Sequence, residues 1–330
     1  MTRIDMAATA KARAWQMVTS TGLGLVMAIV LAACGGDDGK SAATTTTTTL
    51  VPRPDRWVGI TDDGRLVVVD AESGEHARVL GEFDHPDECP KAGEPAAGCR
   101  WVVEVALSPD GQQVYYETCC EPAPGVIHRV PIGGGEPEMV VFGAHPAVDA
   151  AGERLAVVEL QWVTMHELGG ERVVRFRDDD SPAMLHGMTW SPDGEQLAFV
   201  AFDRNDEAGR LHVLDLNEAD SLADAYAIGP PNGGRSWTLP TFRRDGALVV
   251  VEQELQVPNS PEGPARAVVV DPGSGEVRER FDRSGAVLSQ HHDRSGTYLL
   301  YVLADGSVRW ELDGADSGVL ADGGYLAATW

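Results

Sequence analysis

The chain has 330 residues and a net charge of −25 at neutral pH, from 51 acidic and 26 basic side chains. Residues 1–33 carry a net charge of +2, which leaves −27 on residues 34–330. This charge argues against a nucleic-acid partner, because basic side chains supply most of that affinity, and against direct docking onto anionic lipid.

The first residues have the pattern of an export signal. Arg3, Lys11 and Arg13 precede an apolar run over residues 17–33, which ends in small residues directly before Cys34. A basic segment, an apolar segment and small residues at a cleavage point are features of secretory signals. A plain transmembrane anchor is the alternative, although 17 residues is at the short limit for spanning a bilayer.

The cysteine at the predicted cleavage point resembles the lipobox of bacterial lipoproteins. The resemblance implies that residues 1–33 are a lipoprotein signal peptide and that Cys34 becomes the acylated (palmitate-bearing) mature N-terminus. The exported protein would then be held by lipid at the extracytoplasmic face of the bacterial cell membrane.

Residues 34–56 are predicted to form a flexible tether. The segment contains a threonine run over residues 44–49 and prolines at 52 and 54, and it has too little apolar surface to offset its ordering entropy. A coil of ~20 residues has a root-mean-square reach of about 25 Å. The tether is therefore long enough to hold a domain clear of a membrane.

Four cysteines remain after Cys34, and in an exported chain an even number favours disulfides. They are Cys89, Cys99, Cys119 and Cys120. Four cysteines can pair in three ways. A bridge between the adjacent Cys119 and Cys120 would be strained, so we favour a pairing in which both bridges join the segment of Cys89 and Cys99 to Cys119 and Cys120. The alternative of a metal site is weaker, since these spacings match no common zinc pattern.

Residues 57–330 repeat a turn motif. Ser-Pro-Asp-Gly occurs at 108–111 and 191–194, and weaker copies end in glycine at 152, 246 and 296. The five glycines follow one another at 41, 42, 52 and 50 residues. Periods of this length are typical of a propeller or another repeat array.

Each repeat contains four short β-rich segments, with a tight turn after the first, which is the pattern of a propeller blade. Five blades are complete. A sixth is divided between the chain ends, because residues 57–61 and 66–70 provide a second and third strand, while residues 327–330 match the innermost strand at 187–190. The sequence predicts an all-β, six-bladed propeller closed by pairing of the N- and C-terminal strands.

The Ser-Pro-Asp-Gly turns resemble those of TolB-like, WD-repeat-like β-propellers. The resemblance covers most of residues 57–330 but is specific at only two turns, and the WD dipeptide is absent. It implies a non-enzymatic protein-interaction scaffold in the cell envelope, with an envelope protein as its partner.

Binding is expected on the face that carries the loops after the second and fourth strands of each blade, since the longer connections all lie there. They are predicted over residues 82–100, 119–125, 178–187, 203–209, 229–237 and 253–265. The side chains expected to contribute are His85, Asp87, Glu88, Trp101, His186, Arg235 and Trp237. For Trp101 and Trp237, packing between blades is the competing interpretation.

No catalytic motif is present in the sequence, and neither a catalytic residue nor a metal site is predicted. The channel positions of the innermost strands are mostly small, namely Ala106, Ala147, Thr189, Thr241, His291 and Thr329. Three acidic residues at 178–180 raise the alternative of a Ca²⁺ site, but they lack the pattern of an EF-hand loop. The alternative function is one that uses the channel, either as a hydrolase or lactonase or as a binder of a glycan or small molecule. A redox sensor is the third hypothesis.

Overall fold

The computed structural model describes residues 51–84, 100–119, 125–160, 162–177, 184–202, 209–229, 236–257, 260–312 and 316–330, with the backbone alone for 255–257, 260–262 and 316. The chain divides into two units, Met1–Thr49 and Leu50–Trp330, and all described residues belong to the second. None of the helical segments among these residues has the length and apolar character needed to cross a membrane.

Six four-stranded antiparallel sheets form the blades of a propeller. Blade I contains β1 (Arg56–Thr61), β2 (Arg65–Asp70), β3 (His76–Glu82) and, innermost, β24 (Tyr325–Thr329). Blade II contains β4 (Trp101–Leu107), β5 (Gln113–Cys119), β6 (Val126–Pro131) and β7 (Glu138–Phe142). Blade III contains β8 (Ala144–Val148), β9 (Arg154–Glu159), β10 (Trp162–Glu167) and β11 (Val173–Phe176).

The other three blades follow the same order from the innermost strand outward. Blade IV contains β12 (Met184–Trp190), β13 (Gln196–Phe202), β14 (Gly209–Asp215) and β15 (Tyr226–Ile228), with a 3₁₀ turn at Leu222–Asp224. Blade V contains β16 (Ser236–Phe242), β17 (Leu248–Val257), β18 (Ser260–Val270) and β19 (Val277–Asp282). Blade VI contains β20 (Val287–His292), β21 (Tyr298–Leu303), β22 (Val308–Leu312) and β23 (Asp316–Ala321).

Blade I joins the two ends of the propeller, as the sequence predicts. β24 pairs antiparallel with β1, with Val58 opposite Thr329 and Gly59 opposite Ala328. The rings of Trp57 and Tyr325 meet edge-on with centroids 4.9 Å apart. Because the last strand completes the first blade, the ring has no open sheet edge at this point.

Apolar side chains fill the spaces between neighbouring blades. The second strands of the blades are almost continuously buried, which is how strands covered on both faces behave. Between blades VI and I, for example, Trp57 and Val67 share one cluster with Leu300 and Val308. Each such side chain contributes roughly 1.5–3 kcal/mol when fully buried, so the blade interfaces hold the ring rigid.

The repeated turns connect the innermost strand to the second strand in blades II to VI. Their glycines lie at φ between 66° and 80°, in the left-handed region that glycine occupies without steric cost. In each turn the glycine N–H donates to the carbonyl three residues earlier, as Gly111 does to Ser108 and Gly194 to Ser191. The weaker copies found in the sequence are therefore structurally equivalent to the Ser-Pro-Asp-Gly turns.

Two segments depart from the sequence interpretation. Within the predicted loop over residues 253–265, the described residues 253–257 and 260–265 instead continue the hairpin of β17 and β18, with Glu254 opposite Glu262. At the other end of the chain, residues 51–55 lie against the propeller: the Tyr298 hydroxyl donates to the Val51 carbonyl at 2.8 Å, and the Ala71 N–H donates to the Asp55 carbonyl. Residues 51–55, which the sequence assigns to the tether, thus contact the propeller.

Candidate functional site

The innermost strands of the six blades surround a central channel, and aligned residues form two rows along it. We call the row nearer the repeated turns the turn-side row. It contains Ala106, Ala147, Thr189, Thr241, His291 and Thr329, all of which line a cavity of about 580 Å³.

A second row lies two residues earlier in each strand, and we call it the loop-side row. It contains Glu104, His145, Gly187, Leu239, Ser289 and Ala327, all of which line a second cavity of about 380 Å³. Because side chains two residues apart in a strand share a face, both rows point into the channel. The second cavity opens on the loop side of the propeller, and we call it the loop-side mouth.

The loop-side row is irregular in its backbone as well as in its composition. The pairing register shifts between Ala144 and Ala147 in blade III, and shifts also occur in the innermost strands of blades IV and V. At the shifted positions His145 has φ 55°, Gly187 has φ 53° and Leu239 has φ 50°. Non-glycine residues rarely occupy this region, so the fold holds His145 in a costly conformation at the channel wall.

Two glutamates from blade II hold His145 in place. The Nδ1 atom of His145 lies 2.5 Å from Oε2 of Glu104, and the backbone N–H of His145 donates to Oε2 of Glu117 at 2.9 Å. Side-chain ligand atoms of these three residues all lie within 4.8 Å of one another. Glu104, Glu117 and His145 are called the Glu–His cluster below.

The pair of Glu104 and His145 is a charge pair in a partly buried environment. Their side chains are 20% and 15% exposed. Burial opposes ionisation of both groups, but their mutual attraction and hydrogen bond outweigh it, so the pKa of Glu104 is lowered and the pKa of His145 is raised. Nearby His291 and His186 further favour the ionised form of Glu104.

Glu117 is in a less favourable position than Glu104. It is only 5% exposed, and burial raises the pKa of its carboxyl, with a further increase from the negative charge of Glu104. His145 opposes that increase. The cluster therefore places two carboxylates and one imidazole at a position where negative charge is in excess.

His186, one of the binding residues predicted from the sequence, lies next to the cluster. Its ring centroid is 4.7 Å from that of His145, and its ring contacts Phe202 edge-on. Burial and the neighbouring charge of His145 lower the pKa of His186 to about 4. It is therefore a neutral imidazole at physiological pH, with one ring nitrogen that can accept a hydrogen bond or bind a cation.

The adjacent histidines of β20 have different surroundings. His291 lines both cavities, and burial lowers its pKa. His292 faces the turn-side cavity, where its Nδ1 lies 3.2 Å from Oγ1 of Thr241 and its backbone N–H donates to the same oxygen. Burial and the charge of Arg243 lower the pKa of His292 to about 3. Only His291 shares a cavity with the cluster.

Other predicted binding residues occupy different places. Trp237 is 1% exposed and packs in the core between blades IV and V, where its indole N–H donates to Glu252 at 3.4 Å. Trp101 is half-buried at the start of β4, opposite Cys119. His85, Asp87, Glu88 and Arg235 lie outside the described residues, as do the three acidic residues at 178–180 considered for Ca²⁺.

The predicted disulfides fall largely outside the described part of the chain. Cys119, at the end of β5, is a disulfide cysteine. Cys34, Cys89, Cys99 and Cys120 lie outside the described residues, so the pairing and the lipidation stay predictions.

Sequence reasoning missed Glu104, Glu117 and His145. Aligning the repeats identifies the turn-side row, and the same alignment read two residues earlier gives Glu104 and His145 as neighbours on adjacent blades. That signal was available in the sequence. Glu117 is different, since it lies on the second strand and reaches the channel only because the register of β5 against β4 places it opposite Glu104.

Comparison with known proteins identifies the fold. No protein-family model and no curated protein sequence matches the chain. TolB from Acinetobacter baumannii has a similar structure, with a TM-score of 0.59 and 14% identity over 83% of this chain and 65% of that one. A TolB candidate from Agrobacterium tumefaciens gives a TM-score of 0.51 and 15% identity over 70% of this chain and 78% of that one. The chain spans just under two thirds of the Acinetobacter protein and has a TolB-like β-propeller fold.

Proposed function

We propose that this protein is an exported, lipid-anchored propeller that acts as a non-catalytic protein-interaction scaffold in the cell envelope. The observation that carries the proposal is the TolB-like six-bladed ring, whose connections between blades run on the loop side from an outermost strand to the next innermost strand. Loops placed on a rigid scaffold are where binding residues concentrate. The partner is an envelope protein that contacts this face.

The sequence supports the location. The lipobox-like residues before Cys34 favour acylation at that cysteine, and the segment that follows is long enough to hold the propeller away from the membrane surface. The charge of −27 on residues 34–330 keeps the propeller from binding anionic lipid directly. The anchor therefore fixes the protein at the membrane.

Site-specific photo-crosslinking tests the scaffold role. A photoreactive amino acid replaces Val103, which lines the loop-side mouth and is 39% exposed, and a control replaces Met139, which is 50% exposed on the outermost strand of the same blade. We expect an adduct with one envelope protein from position 103 and none from position 139. Identical adducts at both positions, or none at position 103, would contradict a scaffold that works through this face.

Labelling with a palmitate analogue tests the anchor. The native chain is expected to incorporate the label and to fractionate with membranes, whereas Cys34→Ser should lose the label, because the acyl chain has no other predicted attachment point. A Cys34→Ser protein that still carries the label would show that the lipid is attached elsewhere, and an unlabelled native chain would remove lipid anchoring from the proposal.

A further inference from the structure

We propose that the Glu–His cluster at the loop-side mouth binds one divalent transition-metal ion of the zinc type, with His186 as its fourth ligand. This site goes beyond the scaffold function and does not depend on it. It combines residues from β4, β5, β8 and β12, which belong to three neighbouring blades. Packing of consecutive blades brings these strands together.

The geometry of the cluster fits a metal ion. Glu104, Glu117 and His145 each present a ligand atom, all within 4.8 Å of one another. Zinc is bound by histidine nitrogens and carboxylate oxygens at about 2.0–2.2 Å, usually with four ligands in a tetrahedron. Within the residues that the structure describes, this is the one group of three or more His, Cys, Asp and Glu residues with such spacing.

His186 lies beside this group but is not one of the three residues whose ligand atoms are within 4.8 Å of one another, so its ring would turn towards the ion to become the fourth ligand. Its ring centroid is 4.7 Å from that of His145, with the two planes tilted by 59°. Among the described residues, neither ring nitrogen of His186 has a hydrogen-bond partner, although the side chain faces the cavity that contains the cluster. A neutral imidazole that faces other polar groups without a partner is the form that binds a metal ion.

The charges at the mouth also favour a cation. A buried carboxylate is costly unless it is paired. The imidazole of His145 pairs with Glu104, whereas Glu117 accepts a hydrogen bond only from the backbone N–H of His145. A divalent cation would balance both carboxylates. The ion would take the place of the proton between His145 and Glu104, so binding should release a proton.

The ligand types select the class of metal. Ca²⁺ and Mg²⁺ prefer sites made of oxygen atoms, whereas two imidazoles and two carboxylates suit Zn²⁺ and related transition metals. The site therefore differs in place and in chemistry from the Ca²⁺ alternative considered for residues 178–180.

The chain contains a matched control for the cluster. His166 and Glu159 on β10 and β9 form a pair at 3.3 Å, with side chains 20% and 18% exposed, which closely resembles the exposure of His145 and Glu104. That pair is on the outer part of blade III and is not within ligand distance of a third metal-binding side chain among the described residues. His166→Gln thus tests removal of a comparable histidine that is not part of the site.

Calorimetric titration of the full chain with ZnCl₂ tests the proposal, using protein without a polyhistidine tag and without reductant, so that disulfides stay formed. The native protein should bind one equivalent of Zn²⁺. His145→Gln and Glu104→Gln should each weaken binding at least tenfold, while His166→Gln should bind as the native protein does. No binding to the native protein, or equal affinity in native protein and His145→Gln, would overturn the proposal.

Two further measurements keep the test valid if a variant unfolds. Glu117→Gln removes a ligand while keeping the side-chain shape, so a folded Glu117→Gln with weakened Zn²⁺ binding supports the site and one with native affinity removes Glu117 from it. The absorption spectrum with Co²⁺ should show tetrahedral nitrogen and oxygen coordination. Bands from thiolate coordination would instead assign the metal to cysteines and contradict the site.

Discussion

Acidic side chains have opposite roles at the two mouths of the channel. On the turn side they stabilise their own turns: Asp110 accepts hydrogen bonds from the Ser108 hydroxyl and the Gln112 N–H, and these bonds lower its pKa. On the loop side, Glu104 and Glu117 both bond to His145, Glu104 at the imidazole and Glu117 at the backbone N–H. Residues that repeat from blade to blade, such as Asp110, stabilise the ring. Residues that interrupt the repeat, such as Glu104 and Glu117, form a polar cluster that the stability of the fold does not require.

Trp190→Ala should have the largest effect, because Trp190 connects blades III and IV beside the turn-side mouth. It is 7% exposed, its indole N–H donates to the Ala147 carbonyl at 3.0 Å, and the Arg154 guanidinium lies 4.5 Å from its ring centroid. We expect the free energy of unfolding to fall by about 3–5 kcal/mol in urea titrations. Trp162→Ala, at a half-buried position stacked on Arg177, is the control, and an equal loss there would contradict a special role for the turn-side mouth.

His292 should make the fold sensitive to acid. Its folded pKa of about 3 lies below the ordinary value of 6.5, so the unfolded chain binds more protons between these values. The free energy of unfolding therefore falls as the pH drops from about 6.5 towards 3. At about 1.4 kcal/mol per unit, this residue accounts for a loss of about 3 kcal/mol at pH 4.

Unfolding curves of native protein and His292→Gln between pH 8 and pH 4 measure this effect. The decline with acid should be about 3 kcal/mol smaller in the variant. Between pH 7 and 8 the two curves should run parallel, because His292 is neutral there in both states. Equal declines in the two proteins would show that His292 is not the group responsible.

Asp149→Asn should lower the free energy of unfolding less than Trp190→Ala does, but clearly more than a substitution on the surface. The Asp149 carboxylate is buried and accepts hydrogen bonds from the N–H groups of Glu153 and Arg154 and from the Arg154 guanidinium at 2.7 Å. Losing its charge should lower the free energy of unfolding by about 2 kcal/mol. Glu153→Gln, an exposed change in the same turn, should have little effect on urea unfolding, and a matching loss there would refute the assignment to Asp149.

Glu117→Gln should give the smallest change in the free energy of unfolding of the metal-free protein, and this change should be an increase where the other substitutions cause a decrease. Because the pKa of Glu117 is raised, its ionised form destabilises the fold at neutral pH, and this cost disappears as the pH falls below the unfolded value. We expect the variant to be equally stable or up to about 1 kcal/mol more stable at pH 7. Glu104→Gln is the contrast: it should lose stability, since its carboxylate is paired with His145. Both are read from melting curves with a chelator present.

The repeat alignment predicted more of the fold than of the site. Glycines at a fixed place in each repeat identified the turns, and the match of residues 327–330 to 187–190 predicted the divided blade that pairs β24 with β1. The prediction of a loop over residues 253–265 was wrong for the described residues of that segment, which form strands. Their polar, proline-containing sequence is atypical of strands, but pairing within the hairpin overrides such local preferences. The burial of Trp237 could not be predicted from its position at the start of a strand, because the packing of neighbouring blades determines whether such a side chain is exposed to solvent.

The sequence by itself determined the blade number, the four-stranded pattern and the closure of the ring, because these depend on local alternation and on spacing along the chain. The tertiary structure decided which polar residues meet. Glu104, Glu117, His145 and His186 belong to four strands spread over more than 80 residues. Their proximity depends on the packing of consecutive blades, on the register of β5 and on the left-handed backbone at His145. Distances between blades are set by packing of the whole ring, which no local pattern records.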